Sequence, residues 1–122
     1  MTISELKYLI AVYELNKNCI DARITALSKK MNLSKASVCK AVGRLIESGY
    51  LCQNGKAVSL TKTGKEIISD YSIVIEFIAS KLQKYCGTPS ETAFLEAIGA
   101  ACALGDESRK RVIVFAKGQI GD

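Results

Sequence analysis

The sequence contains no histidine, and none of its five cysteines forms a CxxC pair. A zinc site needs four ligands at characteristic spacings, which these residues do not supply. The odd cysteine count disfavours a disulfide framework in a cytosolic chain. Paired carboxylates at catalytic spacing and a glycine-rich phosphate loop are missing too. We therefore expect no enzyme activity and no resident cofactor.

Long apolar runs are missing as well. The longest, residues 97–104, is far too short to cross a bilayer, and no basic segment with an apolar core opens the chain. The composition, with 48% hydrophobic and 24% charged residues among 122, is that of a soluble globular protein. We expect a cytoplasmic location and no membrane partner.

Acidic residues are scarce in the first half of the chain. Residues 1–65 contain 11 Lys and Arg against 4 Asp and Glu, a net charge of +7. Residues 66–122 contain 6 against 8, a net charge of −2, and the two halves sum to the overall +5. A positive half of this size suits a partner made of phosphates.

Residues 34–48 predict a helix with two different faces. Its apolar residues recur at i, i+3, i+4, i+7 and i+8, which places them on one side. The other side carries Ser37, Lys40 and Arg44, and Gly49 ends the helix. The apolar positions are Val38, Ala41, Val42, Leu45 and Ile46.

A second predicted helix, residues 22–31, precedes it after a tight turn. Asp21 can cap this helix, and Ser34 can cap the following one. The turn itself is Asn32-Leu33, in which we expect Leu33 to plug the junction between the helices. The apolar positions of the second helix are Ile24, Leu27 and Met31. Helix, short turn and helix with a polar outer face make a helix-turn-helix unit.

Two short β-prone runs follow, residues 50–53 and 56–60. Asn54-Gly55 joins them, and both residues tolerate the positive φ that a type I′ turn requires. A helix-turn-helix beside such a hairpin is a winged helix-turn-helix, whose usual partner is double-stranded DNA. The predicted fold class is mainly α with a small β-hairpin, and residues 1–63 form its DNA-binding domain.

Helices are also predicted on both sides of this unit. The first spans residues 3–16, and its buried stripe is Leu6, Leu9, Ile10, Val12 and Tyr13. After the wing, the segment from Thr63 to Glu66 fits a capping box and opens a long helix that ends near Tyr85. Its broad apolar face favours dimerisation, although it could instead fold back only onto its own chain. That face consists of Ile67, Ile68, Tyr71, Val74, Ile75, Ile78 and Leu82.

Two further helices complete the chain. Residues 91–104 are rich in Ala and Gly, which let helix axes approach closely, so we expect this helix in the core or the dimer interface. Asp106 caps a last short helix that ends near Ala116. Residues 64–122 are assigned to a helical dimerisation domain, and the predicted assembly is a homodimer.

With these elements in order, the sequence resembles the diphtheria-toxin-repressor and manganese-transport-repressor family of metal-dependent transcriptional regulators. The resemblance is carried by residues 8–18 (YLIAVYELNKN), 22–51 (ARITALSKKMNLSKASVCKAVGRLIESGYL) and 60–67 (LTKTGKEI). It implies a short, two-domain member and a sequence-specific transcriptional repressor.

The same resemblance locates the positions at which the family binds iron or manganese. In this chain they fall near Lys7, Ile10, Ile75, Ile98, Ala101 and Cys102. Hard divalent ions need oxygen and imidazole ligands, which Lys, Ile and Ala do not provide. We therefore expect no metal at these positions, and DNA binding that is independent of iron and manganese.

The family's motif also suggests which residues contact DNA. The expected base contacts come from the start of the recognition helix and are Lys35, Ala36, Ser37, Cys39 and Lys40. Apart from the motif, the polar and basic residues that we expect to contact phosphates are Thr25, Ser34, Arg44, Asn54 and Lys56.

Two alternative functions remain open at this point. Winged helices can dock other proteins without touching DNA, although Lys35, Lys40 and Arg44 on the outer face argue against this here. The chain could also be a regulator that responds to redox state or to a small ligand. Its sensor would then be a thiol such as Cys39, Cys52 or Cys102.

Overall fold

The computed structural model describes residues 1–120, and the side chains of residues 1–118. Within that range the chain forms six helices and a three-stranded antiparallel sheet with strand order β1-β3-β2. The elements are α1 (Ile3–Lys17), β1 (Ala22–Arg23), α2 (Ile24–Met31), α3 (Lys35–Glu47), β2 (Leu51–Asn54), β3 (Ala57–Leu60), α4 (Lys62–Cys86), α5 (Ser90–Ala103) and α6 (Asp106–Ile120). The predicted fold class is confirmed.

The chain divides into two compact units. One comprises residues 4–68, which include the helix-turn-helix and the hairpin. The other comprises residues 1–3 and 69–122, which include most of α4 and all of α5 and α6.

In the first unit, α1 is buried on more than the predicted stripe. Leu6, Leu9 and Val12 are fully buried. Tyr8, Ala11 and Leu15 are almost fully buried as well. Tyr13, which we expected inside, is 43% exposed. The prediction was wrong there because helical spacing alone could not show that the covered face of α1 is centred on Leu9 and Val12.

The start of α2 also differs from the prediction. Ala22 and Arg23 form strand β1 and pair with β3 in the register Ala22↔Val58 and Arg23↔Ala57. Helix α2 therefore begins at Ile24, and Asp21 does not cap it. Ala22 is fully buried, and its strand satisfies backbone groups that a first helical turn would leave without partners.

The turn between α2 and α3 is held by hydrogen bonds rather than by the predicted apolar plug. Leu33 is 43% exposed, so that expectation was wrong. Asn32 takes the left-handed conformation with φ 55°. The Ser28 hydroxyl donates to the Leu33 carbonyl oxygen at 2.5 Å, and the Leu33 amide donates to the Ser28 carbonyl oxygen at 3.1 Å. Leu27 of α2 fills the core instead.

The hairpin turn lies one residue further along than predicted. Asn54 pairs with Ala57, so the loop is Gly55-Lys56. Of these two residues only Gly55 has a positive φ, at +63°, which fits a type II′ turn and not type I′. The register follows the core, because it lets the apolar side chains of the two strands point inward together. These buried side chains are Leu51, Val58 and Leu60.

Helix α4 begins at Lys62, and its cap is Thr61 rather than the predicted Thr63. The Gly64 amide donates to the Thr61 hydroxyl oxygen at 3.1 Å. A Cβ atom at Gly64 would collide with the carbonyl oxygen of Tyr50, so the position needs glycine. The predicted capping box was wrong because α4 starts directly after the wing, which ends at Leu60 as predicted, and this places Thr61 at the cap.

In the second unit, the middle of α4 is buried within the single chain, at Tyr71, Val74 and Ile75. Helix α5 buries its small face together with one large residue, and these positions are Ala93, Ala97, Ile98 and Ala101. No helix of the described chain is long and apolar enough to span a membrane.

Helix α6 differs from the prediction at both ends. Asp106 lies inside its first turn, where the carboxylate accepts a 2.6 Å hydrogen bond from the Arg109 guanidinium. It therefore does not act as the predicted cap. The helix continues to Ile120, past the predicted end at Ala116. Residues 121 and 122, which we expected to form part of a frayed tail, lie outside the described range.

Candidate nucleic-acid interface

The start of α3 is fixed by hydrogen bonds between two serines. Ser34 has extended backbone angles, φ −67° and ψ 150°, and its hydroxyl oxygen accepts a 3.1 Å hydrogen bond from the Ser37 amide. This is the geometry of an N-cap, as predicted. The Ser34 hydroxyl in turn donates to the Ser37 hydroxyl oxygen at 2.9 Å, so the two serines are held together.

Helix α3 separates into a buried and an exposed face. Val38, Val42 and Leu45 are buried in the unit. All the residues that we predict to contact bases are exposed, namely Lys35, Ala36, Ser37, Cys39 and Lys40. Arg44 is exposed as well. The polar face of the helix is thus free to meet a ligand, as the spacing of its residues predicts.

The predicted phosphate contacts lie on three different elements. Thr25 is exposed in the first turn of α2, and Arg44 is exposed on α3. Asn54 and Lys56 are exposed at the tip of the hairpin and line an open groove of about 520 Å³. Ser34 differs from these four, because its hydroxyl is already engaged in capping α3.

Positive charge is concentrated on these elements. Residues 22–65 contain nine Lys and Arg and one acidic residue, Glu47. Lys30 pairs with Glu14 at 2.8 Å, and Arg23 lies 3.7 Å from Asp21. Among the described residues, no carboxylate pairs with the other seven, which are Lys29, Lys35, Lys40, Arg44, Lys56, Lys62 and Lys65. Their charges stay available to an anionic partner.

Sequence reasoning missed one basic residue of this region, Arg23. It was read as part of helix α2, whereas the structure places it on strand β1 beside the tip of the hairpin. A two-residue strand has no periodicity of its own. The only available signal was a basic residue between a turn and a helix.

The positions at which the resemblance implies metal ligands do not fit a hard divalent ion. Ile75, Ile98 and Ala101 are buried and carry no donor atoms. Lys7 is exposed and Ile10 is half-buried. The half-buried Cys102 is the one remaining donor at these positions, and a single thiol does not hold manganese or iron. Over residues 1–120, no three His, Cys, Asp or Glu side chains cluster closely enough to bind a metal.

The two thiols at the proposed interface are both exposed. Cys39 is exposed on α3, and Cys52 is exposed on β2 with its sulfur 3.3 Å from the Ser59 hydroxyl oxygen.

Comparison with known proteins links this geometry to a family. Residues 2–57 match the family described as iron dependent repressor, N-terminal DNA binding domain. A sequence comparison with curated proteins finds no match.

Solved structures with the same fold include three informative ones. A hypothetical protein from Sulfolobus solfataricus is 21% identical with a TM-score of 0.72, over 94% of this chain and 88% of that one. The manganese regulator SloR is 20% identical with a TM-score of 0.77, over 93% of this chain and 53% of its own. The metal-dependent transcriptional regulator MtsR is 19% identical with a TM-score of 0.81, over 96% of this chain and 55% of its own.

At these identities the structural likenesses establish the fold. The chain spans about half the length of the two named regulators. The matched family is one of transcriptional regulators and not of enzymes, which agrees with the expectation from composition. Residues 2–57 are therefore similar to the N-terminal DNA-binding domain of the iron-dependent repressors, and the predicted resemblance to diphtheria-toxin and manganese-transport repressors is confirmed.

Proposed function

We propose that this chain is a sequence-specific DNA-binding repressor that acts as a homodimer in the cytoplasm, without the family's iron or manganese switch. One observation carries the proposal: the capped helix α3 presents an exposed, basic face beside a basic hairpin, in a domain of a DNA-binding family. Residues 1–63 bind DNA in this proposal, and residues 64–122 mediate dimerisation.

Each subunit would place α3 in a major groove of the duplex. Lys40 can donate to the guanine acceptors, and Ala36 can contact a thymine methyl group. Lys35, Ser37 and Cys39 lie beside them on the same exposed stretch. The phosphates on either side would be held by Thr25, Ser34, Arg44, Asn54 and Lys56.

Exposed apolar residues in the second unit support a homodimer. The α4 stripe that first suggested dimerisation is largely used within the single chain. Large apolar side chains on the later part of the unit are instead open to solvent. They are Tyr85 (69%), Phe94 (41%), Leu95 (56%), Val114 (72%) and Phe115 (57%). A second copy would remove such surface from water and supply the two-fold symmetry that paired half-sites require.

Independence from metal is supported by the side chains at the family's ligand positions. Ile75 and Ile98 are 2% exposed, so both positions are filled by packed hydrocarbon. An ion there would need polar ligands in place of those side chains. In this proposal, apolar packing takes the structural part that an ion plays in the metal-dependent members.

The experiment that tests the function is selection of bound duplexes from a random library by the purified protein. One arm contains a chelator, and a second contains added manganese. Enrichment of a palindrome in the chelator arm supports a metal-independent dimeric regulator. Enrichment only with manganese contradicts the metal part of the proposal, and no enrichment in either arm favours protein docking instead.

A second candidate function follows from the position of Cys39. Its exposed thiol lies among the proposed base contacts, so oxidation or alkylation there would place a bulky or charged group against the DNA. Redox control predicts that thiol alkylation abolishes binding in the wild type and spares the Cys39→Ser variant. Equal binding before and after alkylation of the wild type would exclude it.

A further inference from the structure

The first unit contains an open groove of about 520 Å³ between the end of α1 and the hairpin. Its walls come from the segment Asp21–Arg23 and from the hairpin tip, Asn54 to Lys56. Two cationic side chains, Arg23 and Lys56, therefore line one groove, and a single carboxylate, Asp21, accompanies them.

The strand pairing explains how Arg23 reaches the hairpin tip. On β1, Ala22 is buried and Arg23 is exposed, as the alternation of a strand requires. Arg23 pairs with Ala57, the residue directly after Lys56. Two cations distant in sequence, Arg23 on β1 and Lys56 in the turn before β3, are thereby brought to the same groove.

The Arg23 guanidinium is only weakly held by its own chain. Its nitrogen lies 3.7 Å from the Asp21 carboxylate oxygen, beyond hydrogen-bonding distance, and its side chain is 57% exposed. Such an exposed pair contributes little to stability. A ligand with stronger acceptors can therefore bind the guanidinium, and breaking the pair with Asp21 costs little free energy.

We propose that this groove binds the phosphate backbone of DNA, with Arg23 as its main ligand and Lys56 as the second. The inference rests on the proposed function. Arg23 is two residues before Thr25, and it shares the groove with Asn54 and Lys56, all of them proposed phosphate contacts. The planar guanidinium can bind two phosphate oxygens at once, which suits a residue that anchors a backbone.

Asp21 acts against this binding and sets its strength. Its carboxylate competes with phosphate for the Arg23 guanidinium. The groove therefore binds phosphate weakly when alone, and contributes when α3 already holds the duplex. Free inorganic phosphate has no such second attachment and should not occupy it.

The test compares the salt dependence of DNA affinity in the wild type, Arg23→Gln and Lys110→Gln. Lys110 is an exposed lysine of the second unit and controls for net charge. Arg23 makes no side-chain cap for α2, so its replacement leaves the helix start intact. We expect Arg23→Gln to lower the slope of log affinity against log salt by about 0.9 for each phosphate that the variant no longer neutralises. The decrease in affinity should be equal on selected and random duplexes, and Lys110→Gln should match the wild type.

A second comparison uses Asp21→Asn. This variant should bind DNA more tightly in the wild-type background and gain much less in the Arg23→Gln background, because its effect passes through Arg23. An equal gain in both backgrounds would overturn the inference. If the wild type selects DNA but Arg23→Gln keeps its salt slope, only this inference fails. If the wild type binds no duplex, the proposed function fails with it.

Discussion

The Thr61 hydroxyl donates a 2.6 Å hydrogen bond to the carbonyl oxygen of Gly49, twelve residues earlier in the chain. The same hydroxyl oxygen accepts from the Gly64 amide at 3.1 Å, and the Thr61 amide donates to the Tyr50 carbonyl oxygen at 3.1 Å. One residue thus fastens the end of the recognition helix to the end of the hairpin and caps α4. The geometry of the candidate interface depends on this junction.

Replacing Thr61 with Val should lower the free energy of unfolding by about 0.5–2 kcal/mol, the usual cost of losing an N-cap hydroxyl. Thr61→Ser keeps the hydroxyl and should stay close to the wild type. Urea denaturation followed by circular dichroism measures both. Equal decreases in the two variants would show that the methyl group, and not the hydroxyl, is what matters at this position.

Gly64→Ala should destabilise the protein by about 1–3 kcal/mol, since the new methyl group meets the Tyr50 carbonyl oxygen and forces the backbone apart. Gly43→Ala is the matched control, because no atom lies within 4 Å of a Cβ built there. Alanine is the better helix former, so this control should gain about 0.5–1 kcal/mol. Thermal unfolding should show a lower melting temperature for Gly64→Ala and a higher one for Gly43→Ala than for the wild type.

Local patterns explain why α3 was predicted well. Its cap, Ser34, and its apolar spacing are properties of neighbouring residues, so the sequence alone shows which face is polar. The cap of α4, in contrast, could not be chosen between Thr61 and Thr63 from neighbouring residues alone. Both have a hydroxyl, and the choice between them depends on the Gly49 carbonyl and on the space around Gly64, which only the fold brings near.

Non-local pairing accounts for the errors around the wing. Strand β1 is two residues long and exists because β3, more than thirty residues later, offers it a partner. The hairpin turn lies one residue from its predicted place because the burial of Leu51, Val58 and Leu60 fixes the register, whatever turn Asn54-Gly55 prefers locally. Arg23 was missed as a candidate for the same reason.

Ser34 allows capping and DNA contact to be separated. Ser34→Asp should keep the stability of α3, because aspartate is an equally good N-cap. It should nevertheless weaken DNA binding, since it places a negative charge next to the phosphates. Ser34→Ala should instead lower the stability by about 0.5–2 kcal/mol. Unfolding curves and DNA titrations of both variants separate the roles, and unimpaired DNA binding by Ser34→Asp would place the backbone away from this residue.

Asp106 predicts a dependence of stability on pH. The hydrogen bond from Arg109 and its positive charge lower the pKa of the Asp106 carboxyl below its ordinary value of 3.8, and the same bond raises the pKa of Arg109. Because the folded state holds the carboxylate more strongly, this stabilisation is present above the unfolded pKa and disappears as the pH falls through the lowered value. Asp106→Asn should therefore be less stable than the wild type near neutral pH, with the two curves converging in acid. A constant difference at every pH would rule out this charge as the cause.

Substitutions of Lys40 and Lys56 should affect DNA affinity in different ways if α3 contacts bases and the hairpin contacts phosphates. Lys40→Ala should cost about 1–3 kcal/mol on the selected duplex and little on random DNA, because only a specific site offers its guanine acceptors. Lys56→Ala should weaken binding to both duplexes alike and reduce the salt slope by about one unit. Titrations on the two duplexes at several salt concentrations measure both effects. Equal weakening on the two duplexes for Lys40→Ala would remove it from the base contacts and shift recognition to Ala36, Ser37 and Cys39.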